Sequence, residues 1–363
     1  MPWKEENKLV YIRSQLSAKD SQKDNMNRLL ITGGAGFIGS NFVHYMLRKY
    51  PQLEIVNLDA LTYAGNLENL RDIEHDPRYT FMHGDIGDPE MVEQAMKGCD
   101  AVVNFAAETH VDRSIHEGGV FVETDVRGVF VLCEEARRQK VQRFLHISTD
   151  EVYGSINEGH FKETDRLAPS SPYSASKAGG ELLARSYFVT YDLPVLVTRS
   201  SNNYGPFQYP EKLIPLFTTN LIENKPVPVY GDGKQVRDWL FVEDQCEALD
   251  LVLTKGEIGE IYNVGAGNEE YNIDVTTAIL KLLGKGDDLI TYVKDRPGHD
   301  RRYAVDIAKI GKLGWKPRHD FMAGLKKTVD WYVQNDAWWH NIKRKQADYQ
   351  AWMKKQYGEP VKA

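Results

Sequence analysis

Tyr173 and Lys177 stand four residues apart in Tyr173-Ser174-Ala175-Ser176-Lys177, a spacing that sets a phenol and an ammonium one turn along the same face of a helix. A tyrosine ordinarily loses its proton near pH ~10, and a cation held close lowers that value. The pair is expected to make Tyr173 the base for a sugar or alcohol hydroxyl whose carbon surrenders hydride to a nicotinamide. Lys177 is expected to bind the nicotinamide ribose and steady the phenolate. Upstream, Ser148-Thr149-Asp150-Glu151 puts two carboxyls directly after a threonine that would bridge the substrate hydroxyl and Tyr173. One protonated and one ionised carboxyl can serve as acid and base in a single site. Alcohol oxidation alone has no use for them. A ketone, however, acidifies the hydrogen on the neighbouring carbon, so a base there and an acid beside a hydroxyl one carbon further give loss of water.

Such groups need a frame that holds a dinucleotide beside them. A short apolar stretch, Arg28 to Thr32, runs into Gly33-Gly34-Ala35-Gly36-Phe37-Ile38-Gly39, and Ser40 to Lys49 then shows helical spacing. Gly33, Gly36 and Gly39 let backbone approach a pyrophosphate resting on amides and on the positive end of the helix. Asp59, twenty residues past the last of these glycines, would accept from the adenosine ribose hydroxyls and repel a 2′-phosphate, so NAD is expected rather than NADP. Asp85-Ile86 ends a later strand, where a carboxylate can hold the adenine amine. Strands are expected at Leu53 to Leu58, Tyr79 to His83, Ala101 to Phe105 and Arg143 to Ser148, with a long helical segment from Gly128 to Arg138. Alternating strands and helices predict an α/β, Rossmann-type doubly wound parallel sheet.

Beyond about Ser200 the texture changes. Asn202 to Pro210 is rich in Asn, Tyr, Gly and Pro and reads as loop. Asp238 to Leu253 reads as strand, turn and helix, Ile261 to Val264 as a returning strand, and the tail from Phe321 as helix. Trp331, Tyr332, Trp338 and Trp339 are expected to be packing anchors. The expected division is an N-terminal extension over 1–25, an NAD-binding domain over 26–200 plus 238–266, and a smaller, discontinuous α/β substrate lobe with C-terminal helices over 201–237 plus 267–363.

Composition narrows the class of function. The chain has 363 residues, 42% hydrophobic and 27% charged, the balance of an ordinary globular enzyme. A net charge of −7 argues against a nucleic-acid surface, and no apolar run approaches the ~20 residues of a membrane span. The three cysteines, Cys99, Cys133 and Cys246, are scattered singly, which fits a reducing cytoplasm and gives no zinc spacing. Residues 1–25 lack a signal peptide's apolar core and are expected to be peripheral to catalysis.

Together these residues resemble the extended short-chain dehydrogenase/reductases, and within them the dTDP-glucose 4,6-dehydratases. The resemblance runs from about Met26 to Lys343. Its most specific stretches are Thr149-Asp150-Glu151-Val152-Tyr153-Gly154, Arg199-Ser200-Ser201-Asn202-Asn203-Tyr204-Gly205-Pro206 and Asp295-Arg296-Pro297-Gly298-His299-Asp300. It implies a closed redox cycle on dTDP-glucose. Tyr173 takes the 4-hydroxyl proton, Glu151 the carbon-5 proton, and Asp150 protonates the departing 6-hydroxyl. Hydride returns to carbon 6, and NAD, regenerated each turnover, stays tightly bound.

By the same resemblance, cofactor contacts fall on Phe37, Ile38, Asp59, Ala60, Leu61, Thr62, Asp85, Ile86, Phe105, Ala106, Ala107, Thr109, Thr124, Tyr173, Lys177 and Asn203. Substrate contacts fall on Thr109, Thr149, Asn202, Lys212, Leu213, Pro228, Val229, Tyr230, Arg237, Asn272, Asp295, Arg296, Pro297, Gly298 and His299. Arg237 and Arg296 are the cations a sugar diphosphate needs. The product would feed deoxysugar biosynthesis of the rhamnose type for surface polysaccharide.

Members of this family are commonly homodimers paired through two helices, here the one around Asp125 to Arg138 and the one beginning near Tyr173. Val126, Val129, Val131 and Leu132 supply apolar surface for that contact, or for the sheet. Two other readings stay open at this point. A 4-epimerase or decarboxylase of the same fold would leave Asp150 and Glu151 without work. A non-catalytic NAD sensor would need the glycine turn but not Tyr173, Lys177 and Thr149.

Overall fold

Uninterrupted apolar runs such as Leu29-Leu30-Ile31 and Ala101-Val102-Val103 suit strands buried on both faces, and they form the centre of a parallel sheet. The computed structural model describes residues 26–295, 298–345 and 347–357. In chain order the first half gives β1 (Arg28–Thr32), α1 (Phe37–Lys49), β2 (Glu54–Asp59), β3 (Tyr79–His83), α2 (Pro89–Met96) and β4 (Ala101–Asn104). Next come α3 (Val111–His116), α4 (Gly118–Val122), a π turn (Glu123–Gly128), α5 (Val129–Gln139), β5 (Arg143–Thr149), α6 (Pro172–Tyr191) and β6 (Val195–Ser200). The second half gives β7 (Asn202–Tyr204), α7 (Leu213–Ile222), β8 (Val227–Tyr230), β9 (Val236–Phe241), α8 (Val242–Lys255) and β10 (Ile261–Val264). It ends with β11 (Glu269–Tyr271), α9 (Asn272–Leu283), β12 (Ile290–Val293), α10 (Ala308–Gly311), α11 (Phe321–Gln334), α12 (Asp336–Lys345) and α13 (Ala347–Tyr357).

Among the described residues, seven parallel strands form the large sheet in the order β3-β2-β1-β4-β5-β6-β10. Leu29 and Ile31 join one core layer with Phe42, Met46 and Leu249, so α1 and α8 cover that face. Leu30 points the other way and packs with Val92, Leu132 and Tyr187, so α2, α5 and α6 cover the opposite face. The strand order reverses between β1 and β4. In a doubly wound sheet the crevice at the carboxyl ends of such neighbours is where ligands bind. Strands β1 to β5 each end within one residue of the boundary the sequence predicts, and β6 is not predicted.

The smaller lobe holds a sheet β11-β9-β7 and a parallel pair β12-β8, packed with α7, α9 and α11 around Leu216, Phe217, Val275, Ile279 and Leu325. Two expectations need correction here. Asn202–Tyr204, read as loop, is a short strand, because its backbone pairs in parallel with Trp239–Phe241. Residues 238–241 stay in the smaller lobe as part of β9, and the chain crosses back to the large sheet at α8.

In the tail, Tyr332 and Trp339 are fully buried and Trp338 donates to Asn69 Oδ1 at 2.9 Å, so the aromatic residues pack as expected. The expectation for residues 1–25 lies outside the described residues. No helix among the described residues is long and apolar enough to cross a membrane.

Candidate active site

The turn after β1 dictates glycine at two positions. Gly33 has φ +71°, and a Cβ there would meet the Ala106 amide nitrogen at 2.6 Å. A Cβ on Gly39 would lie 2.3 Å from the Gly33 carbonyl oxygen. Without these side chains, α1 starts at the mouth of the crevice, where its first amides favour an anion. Asp59, at the end of β2, is buried and accepts from the Ala35 and Leu61 amides at 2.8 Å each. Burial raises its carboxyl above the usual range, and those two amides oppose the shift. Asp85 accepts from the Gly87 amide at 2.6 Å, which fixes the loop after β3.

Strand β5 delivers the acid-base residues. Thr149 caps a tight turn, Asp150–Tyr153; its hydroxyl accepts from the Glu151 amide and donates to Asp150 Oδ1, both at 3.2 Å. Asp150 is only 2% exposed, and its Oδ2 has no hydrogen-bond partner. Burial first, then the neighbouring Glu151 and Asp238, drive its carboxyl well above the ordinary value, which favours the protonated form.

Helix α6 starts at a capping box between Ser171 and Ser174 with Pro172 in its first turn, which puts Tyr173 at the helix mouth and Lys177 one turn deeper. Lys177 is buried, and its ammonium donates to the Ile147 carbonyl at 2.8 Å. Burial lowers its pKa, against the pull of Asp125 and Glu181.

The expected lowering of the Tyr173 pKa is not found. Burial, then Glu151 and Asp125, raise the phenol well above its ordinary value, and a hydrogen bond with Thr149 only partly offsets them. The carboxylates that ring the phenol, together with its desolvation, decide the sign, while the lysine is engaged by Ile147. Phe121 meets the Tyr173 ring edge-on at 6.3 Å and fixes its attitude.

Asp125, which the sequence reading did not single out as a site residue, enters from the π turn between α4 and α5. It accepts from Ser176 Oγ at 2.6 Å and from the Glu108 amide at 3.0 Å, and burial raises its pKa to about 6. Glu108, lining the crevice beside it, is raised to about 7 by burial and by Asp125. Neither belongs to a local motif; only the tertiary fold brings them together.

Apart from Asp125, which lies behind the wall, these acid-base groups share one cavity of about 300 Å³. Gly33, Gly36, Phe37, Ile38, Gly39, Asp59, Ala60, Thr62, Asp85, Ile86, Phe105, Ala106, Ala107, Thr109, Thr124, Tyr173, Lys177 and Asn203 line it, as do Thr149, Asp150, Glu151, Asn202 and Lys212. Leu61 does not. Its amide is used by Asp59 and its side chain packs on the large core.

The remaining expected substrate residues lie in the smaller lobe. Arg237 stacks over the Tyr303 ring at 4.4 Å, donates to the Asp300 carbonyl at 3.0 Å and acts electrostatically on Asp150. Tyr230 and His299 meet edge-on at 6.1 Å, and His299 Nδ1 lies 2.6 Å from Asp295 Oδ1. Pro228 lies on β8, and the Val229 side chain is buried in the lobe core. Leu213 and Asn272 open α7 and α9, and the Asn272 Oδ1 is buried without a partner. Gly298 has φ +64°, and a Cβ there would lie 3.5 Å from the Ser170 carbonyl oxygen. Arg296 and Pro297 lie outside the described residues.

The residues fit a dinucleotide. The glycine turn leaves room that a Cβ would fill, and Asn202 Oδ1, Asn203 Oδ1 and Gln208 Oε1 are buried on the cavity wall with no protein partner. A buried polar atom of this kind is costly unless something completes it.

Comparison with known proteins agrees with this geometry. Residues 30–328 match the family model described as GDP-mannose 4,6 dehydratase. A dTDP-glucose 4,6-dehydratase of Streptomyces antibioticus is 53% identical over 325 residues, covering 88% of this chain and 96% of that one. The low-salt glycan biosynthesis protein Agl12 of Haloferax volcanii is 52% identical over 85% of this chain and 99% of its own. Among solved structures, DesIV of Streptomyces venezuelae, a dTDP-glucose 4,6-dehydratase with NAD and dTDP bound, superposes with a TM-score of 0.86 at 50% identity. That match covers 87% of this chain and 100% of that one.

Proposed function

This chain belongs to the GDP-mannose 4,6 dehydratase family, and from that premise we infer that it is an NAD-dependent hydro-lyase acting on dTDP-glucose. It converts dTDP-glucose to dTDP-4-keto-6-deoxyglucose. The observation that carries this reading is the placing of Asp150 and Glu151 on the same strand end as Thr149, in the cavity that holds Tyr173 and the glycine turn. An epimerase or a sensor has no use for an acid-base carboxyl pair there. NAD held by the Gly33–Gly39 turn, Asp59 and Lys177 would supply the hydride chemistry, acceptance from carbon 4 and return to carbon 6.

The chain's own groups then divide the proton work. Tyr173 Oη receives the proton of the 4-hydroxyl, with Thr149 Oγ1 aligning the two oxygens. Glu151 takes the proton of carbon 5, which the new ketone acidifies. Asp150, whose protonated form burial favours together with Glu151 and Asp238, gives its proton to the 6-hydroxyl as it leaves as water. Lys177 holds the nicotinamide ribose, Gly33, Gly36 and Gly39 admit the pyrophosphate, and Asp59 selects against a 2′-phosphate. Arg237 faces the sugar diphosphate from the smaller lobe. We assign the cofactor-binding domain to residues 26–200 with 242–266, and the substrate lobe to the rest of the described chain. The test is a panel of dTDP-, UDP-, CDP- and GDP-glucose given to the purified protein without added NAD. Loss of water from the dTDP sugar is expected; inversion at carbon 4 without mass change would move the chain to the epimerases.

The homodimer is part of the same proposal, through the two helices first expected, α5 and α6, with Val129, Val131 and Leu132 taking the sheet-facing role left open for them. Val129, Val131 and Leu132 are buried against the sheet, so they cannot supply the contact. The large apolar groups exposed on α4, α5 and α6 are Val120 at 49%, Val122 at 53%, Phe130 at 46%, Leu182 at 52%, Val189 at 53% and Tyr191 at 51%. Phe130→Glu combined with Leu182→Glu should turn a dimer into a monomer in sedimentation velocity; an unchanged dimer would put the interface elsewhere. Three buried free cysteines suit a reducing cytoplasm, and the product suits deoxysugar biosynthesis.

A further inference from the structure

The two halves of the proton chemistry arrive on different elements. Thr149, Asp150 and Glu151 come on the end of β5 and its tight turn, while Tyr173 and Lys177 come on α6. Elimination needs both sets at one sugar, so the turn must be fixed against the helix. Side chains to which the reaction as assigned gives no work join the two. Tyr153 closes the Asp150–Tyr153 turn, Arg199 sits on β6 beside Ser148 of β5, and Glu181 follows Lys177 by one turn of α6. All are buried, Tyr153 and Arg199 at 2% exposure and Glu181 completely.

Their contacts run in one line. Arg199 Nη1 donates to the Tyr153 hydroxyl at 2.6 Å, and the guanidinium lies 4.6 Å from the centre of that ring. Arg199 Nε donates to Glu181 Oε1 and Oε2 at 3.1 Å and 3.0 Å, and Nη2 also bonds Oε1. The Tyr153 hydroxyl donates to Asn263 Oδ1, on β10, at 2.8 Å. Phe161 stacks on the Tyr153 ring at 4.8 Å, and its carbonyl accepts from Asn263 Nδ2 at 2.9 Å. Val152 and Tyr153 pack in one small cluster with Ala178, the neighbour of Lys177. The catalytic turn is thus tied to the catalytic helix twice, by packing and by a buried charged chain.

A buried ion pair returns in attraction about what it costs in desolvation, so stability alone does not account for this one. What its forked bonds supply is fixed geometry. We propose that Tyr153 is a positioning residue for the elimination step, held by the Arg199–Glu181 pair so that Asp150 and Glu151 face the sugar that Tyr173 holds. The proposal rests on the reading of the chain as a dehydratase. Oxidation at carbon 4 draws on Tyr173, Lys177 and Thr149, and Thr149 is kept in place by pairing with Ser200 in the sheet. Loosening the turn should therefore slow loss of water and spare hydride transfer to NAD.

The experiment compares wild type with Tyr153→Phe, Glu181→Gln and Tyr50→Phe. It reads KM for dTDP-glucose, the rate of water loss by mass spectrometry, and the absorbance of reduced nicotinamide after rapid mixing. Tyr153→Phe keeps the ring and its packing and removes only the hydroxyl that Arg199 and Asn263 share. Its water loss should fall by about tenfold to a hundredfold, the scale of a reacting group displaced by ~1 Å. Oxidation should stay within about threefold and KM should not rise, so reduced nicotinamide builds up as it does not in wild type. Glu181→Gln should act in the same direction; should it fail to fold, Tyr153→Phe decides alone. Tyr50→Phe removes a hydroxyl that donates to buried Asp250 at 2.8 Å in the α1–α8 layer, so it controls for general loosening and should behave as wild type. Water loss within about twofold of wild type in Tyr153→Phe, oxidation slowed as much as elimination, or the same build-up in Tyr50→Phe would each overturn the proposal. A wild type that itself loses no water would sink the dehydratase reading, a result distinct from a variant that matches an active wild type.

Discussion

Tyr173→Phe is expected to lower turnover of dTDP-glucose by on the order of 10³-fold, the loss that follows removal of a positioned acid-base group. The ring should stay where it is, because Phe121 packs on its edge and the Ser171–Ser174 capping box that starts α6 is untouched. Bound NAD should persist, since the glycine turn and Asp59 are at the far end of the cavity wall. The loss should appear in kcat and in kcat/KM alike, as it does when a contact made in the transition state is removed. The variant also separates an enzyme from a sensor: a sensor keeps its response to NAD because the phenol has no part in it. A variant turning over within tenfold of wild type would show that another group takes the 4-hydroxyl proton.

Glu151→Gln should stop the reaction one step later. The exchange keeps the side chain's size, and the Glu151 amide still bonds the Thr149 hydroxyl, so the turn holds. Removal of the carbon-5 proton then has no base, and dehydration should fall by on the order of 10²- to 10⁴-fold. The oxidation at carbon 4 does not need that carboxylate. The absorbance of reduced nicotinamide should therefore build up on mixing with dTDP-glucose and decay slowly, where wild type shows little. Taking away one negative group should also ease the phenol of Tyr173, because Glu151 is among the causes holding it up, and Asp150 likewise. Oxidation is thus not expected to slow. Dehydration at near the wild-type rate would remove Glu151 from the role of carbon-5 base.

What the sequence made legible is what lies close together along the chain. Gly33 to Gly39, Thr149 to Glu151 and Tyr173 to Lys177 each carry their chemistry within a few residues, so spacing alone announces them. The strands of the large sheet other than β6 were legible because burial on both faces demands continuous apolar runs. What escaped depends on partners far away in the chain. Asn202–Tyr204 becomes a strand only because Trp239–Phe241 lies beside it. The direction of the Tyr173 shift turns on burial and on Asp125, which a π turn brings to the back of α6. Val129 and Phe130 are adjacent and equally apolar, yet one is buried and the other exposed, a choice that helix phase makes after the sheet is in place. The Tyr153 hydroxyl reaches Asn263 across 110 residues, and no local pattern marks that contact.

The central claim is that one hydride leaves carbon 4 and comes back to carbon 6 of the same sugar while Tyr173, Asp150 and Glu151 move the protons. The direct test is dTDP-glucose deuterated at carbon 4, mixed with unlabelled dTDP-glucose and the purified protein, with the products resolved by mass spectrometry. The account predicts loss of one water, with the deuterium on carbon 6 and confined to molecules that began with it. Deuterium lost to solvent, exchanged between sugars, or found again at carbon 4 of an inverted product would contradict it.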